Sequence, residues 1–500
     1  MNKALSRLGM AAIVALGAVA LGVVLHPVAA AAAGSPSRLD FDGDGLDDLV
    51  AGAHLVAPQG APAGLPNGGG LVVDYSTRST VDFLTNASTP GDIRFAGATA
   101  AGNFNGDGYA DLATGGDGSI SVLFGSPTGL RTTGVQAVTG SGTFGSALAA
   151  GDLNNDGYDD LAVGAKGDQL GAGAVTILFG SAGGVVTTGA VVLSQDTPGV
   201  PETAEADDWF GAAVAIGDVT GDGYGDLAVG APGDDILWPQ QEDGSVTLFP
   251  GSPSGPVVAT ATFVAGGRDT QAGVLGEQLA IADLNGDRRG DVIVPSPRSQ
   301  QGIVVYLPGT AAGITPAGHR LITAAGLGWP TDTLAYGFAH TVASGDVTGD
   351  GLADLLIGDV AHTVAGASQA GAVFLVPGTR SGPTGAGARL FTQATGYRPY
   401  RGSTPDARKP ETFDHFGYAI TVLNLDGAGP LDVVIGTRYE STGSSTLPSG
   451  LLTRLVTQPV KPIRGTSRPT GPGTLTIGPS WVGQGNGFDV YDLGRSLLRA

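Results

Sequence analysis

Five hundred residues exceed what one compact core normally organises, so several domains or one modular architecture is expected. Cysteine is absent, which excludes disulfides, thiolate metal sites, cysteine nucleophiles and thiol-linked lipid; a formal charge of −21 argues against nucleic acid and anionic lipid as partners. Glycine is abundant, at 86 residues, but a hydrophobic fraction of 42% rich in Val, Leu and Phe points to folded β structure rather than a disordered chain.

The first element is an export leader. Lys3 and Arg7 precede the apolar run Leu8 to Leu25, His26-Pro27 breaks it, and "VAAAAAG" offers cleavage between Ala30 and Gly34. An uncleaved membrane anchor is the competing reading, because the run borders on a spanning length. The sequence therefore divides into a signal peptide over 1–33 and a secreted body over 34–500, whose charge becomes −23 once Lys3 and Arg7 are gone. No later stretch is long and apolar enough to cross a membrane, and a monomer is expected.

Seven copies of one acidic stretch follow: "DFDGDGLDDL" from Asp40, "NFNGDGYADL" from Asn103, "DLNNDGYDDL" from Asp152, "DVTGDGYGDL" from Asp218, "DLNGDRRGDV" from Asp283, "DVTGDGLADL" from Asp346 and "NLDGAGPLDV" from Asn424. Like charges so close repel unless a cation lies between them. In six copies positions one, three, five and nine carry side-chain oxygens, and position seven can add its backbone carbonyl. The expected ligands are Asp40, Asp42, Asp44, Leu46 and Asp48; Asn103, Asn105, Asp107, Tyr109 and Asp111; Asp152, Asn154, Asp156, Tyr158 and Asp160; Asp218, Thr220, Asp222, Tyr224 and Asp226; Asp283, Asn285, Asp287, Arg289 and Asp291; Asp346, Thr348, Asp350, Leu352 and Asp354. An all-oxygen cage of flexible geometry suits Ca²⁺. Position six is Gly in five of these, which lets the loop turn through positive φ. An EF-hand is excluded, since its twelfth position needs Glu and here holds Ala51, Thr114, Val163, Val229, Val294 and Ile357.

Short strand-like runs flank each loop, as in "FGAAVAIGDV" before and "DLAVGAP" after the fourth. A third apolar run follows in every copy, from "GGLVVDYS" to "GLLTRLVTQ", and a fourth in most, as in "GAVVLSQ". Four strands in each of seven repeats predict an all-β fold, a seven-bladed β-propeller with the loops as hairpin turns.

On these residues the chain resembles the FG-GAP family, the repeats that form the propeller head of integrin α subunits. The resemblance rests on "FG" at Phe144-Gly145, Phe210-Gly211 and Phe416-Gly417, "VGAP" at Val229 to Pro232, and the loops between them. It implies calcium in about six loops and a secreted, extracellular, adhesion-type scaffold that binds a protein or glycan. Arg288 stands where the fifth loop expects Gly, so strain is expected there; Ala428 and Pro430 should leave the seventh loop without an ion.

Catalytic signatures are missing: no G-x-S-x-G, no H-E-x-x-H, and dispersed histidines. A binding scaffold is the expected function; the alternative is a secreted hydrolase or lyase acting on polysaccharide or ester from the end opposite the loops. Asp207-Asp208 and Asp234-Asp235 could serve acid–base chemistry but read first as solvated loop charge. Arg289-Gly290-Asp291 spells an adhesive tripeptide, yet Asp291 falls on a loop ligand position, so chance is the preferred reading. Trp209, Trp238, Trp329, Tyr397 and Tyr400 fall in connections at the end away from the loops, where aromatics could form a ligand platform or pack between blades. Repeat one has no Phe-led first strand in its expected place, and "GFDVYDLGRSLL", residues 487–498, is expected to fill that seat and close the ring.

Overall fold

The computed structural model describes residues 20–25, 39–56, 68–77, 81–85, 98–116, 118–235, 243–270, 273–299, 302–329, 337–394, 409–427, 429–437 and 451–455. Among them there is no α-helix. Strands form six four-stranded antiparallel sheets and one three-stranded sheet, each a meander in chain order. Blade four shows the plan: Ala213–Gly217, Asp226–Ala231, Ser245–Phe249 and Thr262–Ala265, with Ala213 opposite Gly230 and Gly217 opposite Asp226 across the loop-bearing hairpin. Blade seven consists of Phe416–Leu423, Asp432–Thr437 and Leu451–Leu455.

The inner strands are buried on both faces because blades stack on one another, while the fourth strands, such as Val186–Leu193, are largely exposed. Second strands are near-continuous apolar runs after a leading Asp, as in "DLAVGA" and "DLLIGD", each with the pattern of a fully buried strand. The core accordingly lies between blades: Val175 and Ile177 of blade three join Phe210, Val214, Leu227, Val229 and Phe249 of blade four in one cluster. Phe210 meets Phe249 edge-on at 6.4 Å between ring centroids. This is why a Phe recurs ahead of five of the seven loops: it is the wedge between consecutive blades, and Phe210 and Phe416 are wholly buried.

First strands of successive blades lie against one another, Ala98–Gly102 on Ala147–Gly151, the latter on Ala213–Gly217, and Phe338–Gly345 on Phe416–Leu423, so they form the inner wall of the ring. The parity of the meander puts the seven acidic loops at one end and the connections between strands two and three, and between blades, at the other.

Closure departs from the sequence expectation. The first strand of blade one is Ala20–Leu25, paired antiparallel with Leu49–Val56 from Ala20 opposite Val56 to Leu25 opposite Ala51. It lies against the first two strands of blade seven. The seat assigned to residues 487–498 is therefore taken by part of the expected leader, and 487–498 lie outside the described residues. The physical reason is the composition of the segment: "ALGVVL" is apolar and rich in β-branched residues, which suits a strand as well as a leader.

Candidate metal centres

Each loop is wound around its own side chains. The first-position carboxylate accepts backbone N–H groups from positions four and six: Asp40 from Gly43 at 2.7 Å and Gly45 at 2.8 Å, Asp218 from Gly221 at 2.6 Å and Gly223 at 3.0 Å, Asp346 from Gly349 at 2.6 Å and Gly351 at 2.9 Å. The fifth-position carboxylate accepts the seventh amide, as Asp44 from Leu46 at 2.9 Å and Asp222 from Tyr224 at 3.0 Å. These are side chain-to-backbone turns that only short acceptors can make.

The ninth position does different work. Asp48, Asp111, Asp160, Asp226, Asp291 and Asp354 have no exposed surface. One oxygen of Asp226 accepts Val219 N–H at 2.8 Å and the other accepts Gly251 N–H at the end of the third strand, also at 2.8 Å. Asp111, Asp160, Asp291 and Asp354 repeat the pair of bonds. Each of these carboxylates clips the loop to strand three.

Burial raises the proton affinity of these carboxyls, to about 8 for Asp48, about 7 for Asp111, Asp160 and Asp291, and about 6 for Asp226. Desolvation is the main cause in each; for Asp48 the neighbouring charges of Asp42 and Asp40 add to it, while backbone N–H bonds oppose it. Charge in the loops thus lacks compensation from the protein. In loop one, Asp40, Asp42 and Asp48 each bring an oxygen to within 4.8 Å of the others. In loop four the hydroxyl of Thr220, at the third ligand position, is buried without a hydrogen-bond partner. Converging hard oxygens and an orphaned donor atom fit a divalent cation of the Ca²⁺ type.

Arg288 does occupy the left-handed region, at φ 70°, and its amide still bonds Asp283 at 2.8 Å, so the fifth loop keeps its winding. Asp291 is buried, and the Nε of Arg289 donates to the Thr220 carbonyl of the preceding loop at 3.1 Å. The Arg-Gly-Asp stretch is therefore built into the ring.

Sequence reasoning missed the joint between loops. The amide at position eight donates to the first-position carbonyl of the preceding loop: Ala110 to Asp40 at 3.0 Å, Asp159 to Asn103 at 3.1 Å, Gly225 to Asp152 at 2.8 Å, Gly290 to Asp218 at 2.6 Å and Leu431 to Asp346 at 2.9 Å. The series crosses the seam, where Asp47 donates to Asn424 at 2.9 Å and its carboxylate accepts the Asn424 amide at 2.6 Å. Above this bond the seventh-position side chain covers the fourth-position glycine of the previous loop. A Cβ on Gly43 would meet Tyr109 at 2.5 Å, one on Gly286 would meet Leu352 at 2.5 Å, and at the seam one on Gly427 would meet Leu46 at 3.1 Å. Position six differs: a Cβ on Gly45 or Gly223 would meet nothing within 4 Å, so only φ selects glycine there. Glycine at position four in six of seven loops, with a bulky residue at position seven of the next, was the readable signal.

Among the aromatics at the other end, Trp329 packs edge-on against Phe374 at 5.4 Å and belongs to the core between blades five and six. Trp209 is half-buried. Trp238, Tyr397 and Tyr400 lie outside the described residues. Asp208 and Asp234 are buried, at 2% and 5% exposure, which corrects their reading as solvated loop charge.

Comparison with known proteins agrees with the repeat. The FG-GAP repeat family matches residues 95–123, 144–178 and 210–249, and the chain carries FG-GAP repeats. Integrin alpha-4 of Xenopus laevis is 30% identical over 153 residues, 30% of this chain and 14% of that protein. Integrin alpha pat-2 of Caenorhabditis briggsae is 38% identical over 166 residues, 30% of this chain and 13% of that protein. The phosphatidylinositol-glycan-specific phospholipase D of Mus musculus is 34% identical over 139 residues, 26% of this chain and 16% of that protein. The chain thus matches well under a fifth of the length of these relatives. A lectin structure from Agrocybe aegerita aligns over 78% of this chain and 87% of its own at TM-score 0.43 and 14% identity, too low to bear on the ligand.

Proposed function

We propose that the protein is an extracellular, calcium-stabilised propeller that serves as a binding scaffold of the adhesion type for a protein or glycan. The observation that carries this reading is the sixfold recurrence of one oxygen donor set in loops that also join the blades. Positions one, three, five and nine, with the seventh carbonyl, would hold Ca²⁺ in loops one to six; the seventh loop, with Ala428 at position five, would hold none. Bound calcium supplies positive charge to buried carboxylates and rigidity to the joints. At about 1 mM ion and a Kd of about 0.1 mM each loop gains about 1.4 kcal/mol, a large aggregate for a cysteine-free chain.

Export is supported by the basic N-terminus and the apolar run after it; no helix among the described residues is long and apolar enough to cross a membrane. The similarity to a phospholipase covers 16% of that enzyme. Excess chelator, with metal analysis confirming removal, should lower the melting temperature by ~10 °C or more. An unchanged melt would sink the calcium scaffold, and turnover of an arrayed glycan instead of saturable binding would favour a hydrolase or lyase.

A further inference from the structure

In blades two to seven the inner strand is built from the residues directly ahead of the acidic loop, so Gly102 lies opposite Asp111 and Gly217 opposite Asp226. Blade one begins alike, where the Leu39 carbonyl accepts the Asp48 amide at 2.9 Å. Its strand then breaks register. Counting back from Leu39 opposite Asp48 brings Pro36 to Ala51, yet the residue paired with Ala51 is Leu25. The sequence supplies the reason: "AGSPSR", residues 33–38, holds Gly, Pro and Ser, and Pro36 has no N–H to give the ladder, whereas Ala20–Leu25 is an apolar run with Val23 and Val24.

Ala20–Leu25 is held from two sides. Its six residues pair consecutively with Leu49–Val56, and the segment lies against Phe416–Leu423 and Asp432–Thr437 of blade seven. It is thus the inner strand that stands at the seam, between the last blade and the first. Without it the edge of Leu49–Val56 would face blade seven unpaired, and a bare strand edge is both unstable and open to foreign strands.

The cleavage positions expected between Ala30 and Gly34 all fall after this strand and ahead of Leu39 in the chain. A cut there breaks the covalent link between strand and ring but none of the ladder. We propose that the seat between Leu49–Val56 and blade seven is a peptide-binding site whose ligand is the chain's own segment Ala20–Leu25, so that the exported protein retains this part of its leader. After a cut the segment stays as a bound strand, and in an uncut chain as a tethered one. The ligand class is an extended apolar peptide, recognised through backbone hydrogen bonds along the ladder. The cut rests on the export reading, and the seat rests on the pairing alone.

Protein secreted by cells that express the full chain, purified without denaturant and then denatured for mass measurement, tests retention. Stoichiometric recovery of residues 20–25, in a leader fragment or at the head of the chain, is expected; a folded ring that starts beyond Leu25 and carries no such fragment would overturn the proposal. The seat is tested apart from export, in the full chain produced without secretion and treated with glutathione disulfide as the oxidant. Since the chain has no cysteine, Val23→Cys with Ala53→Cys and Val24→Cys with Gly52→Cys each offer one possible disulfide, and the two sample both kinds of antiparallel pair. At least one should close almost completely, while Val23→Cys with Thr188→Cys, on the outer strand of blade three, should stay reduced. No disulfide in either opposed pair, or closure no greater than in the outer-strand control, would refute the seat.

Discussion

Loops one and seven meet at the seam of the ring, and one has a complete donor set while the other does not. Loop seven keeps Asn424, which accepts the Gly427 amide at 2.9 Å, and Asp432, which accepts Leu425 N–H at 3.2 Å; it also keeps positive φ at Gly427 and Gly429. What it lacks is the fifth-position carboxylate, replaced by Ala428, and an aromatic or aliphatic seventh residue, replaced by Pro430. The loop therefore separates into two layers of function. Positions one, four, eight and nine build the fold in both loops, whereas position five, which in loop one accepts the Leu46 amide, is the place where the proposed ion would lose a ligand in loop seven.

The sharpest way to break this division is at position four. Gly43→Ala combines a left-handed backbone with a collision against Tyr109 and should cost about 3 kcal/mol, measured by denaturant melting with and without calcium. Gly45→Ala, strained but sterically free, should cost about 1 kcal/mol. Equal costs would remove the inter-loop contact from the account.

Next in size is Asp432→Ala. Although its loop is expected to hold no ion, loss of this buried acceptor should cost about 2 kcal/mol and leave calcium stoichiometry unchanged. A neutral result would restrict the ninth position to metal binding.

Smallest is Asp44→Ala, which should remove one ion and about 1.4 kcal/mol at millimolar calcium, and in chelator only the smaller cost, about 0.5 kcal/mol, of the exposed bond to Leu46 N–H. Destabilisation of the same size in chelator would return position five to the scaffold. The converse change, Ala428→Asp with Pro430→Tyr, should add one ion.

Much of this was legible in the sequence because it is local. The loop period, the third strands from "GSISVLFGS" onwards and the recurrent Phe follow from spacings within one repeat, and the sheets appear where those spacings place them. The joint between loops was not read because its halves, such as Gly43 and Tyr109, lie 66 residues apart and each has a sufficient local explanation alone. The seat of Ala20–Leu25 was missed for another reason: an apolar run that suits export also suits a strand, and only the vacancy beside Leu49–Val56 distinguishes them. Asp208 and Asp234 look like any acidic turn until the packing of blades three and four buries them.

The seam has a consequence for how such rings can be rebuilt. Because Leu46 covers Gly427 and Asp47 bonds Asn424, the joint at the chain ends repeats the backbone bond found in five of the joints between successive loops. The interchangeable unit is then not a blade cut at its strand boundaries but a segment running from the middle of one loop to the middle of the next. A graft or duplication cut there carries a glycine and its matching cover together, whereas one cut between strands four and one inherits mismatched halves at both ends.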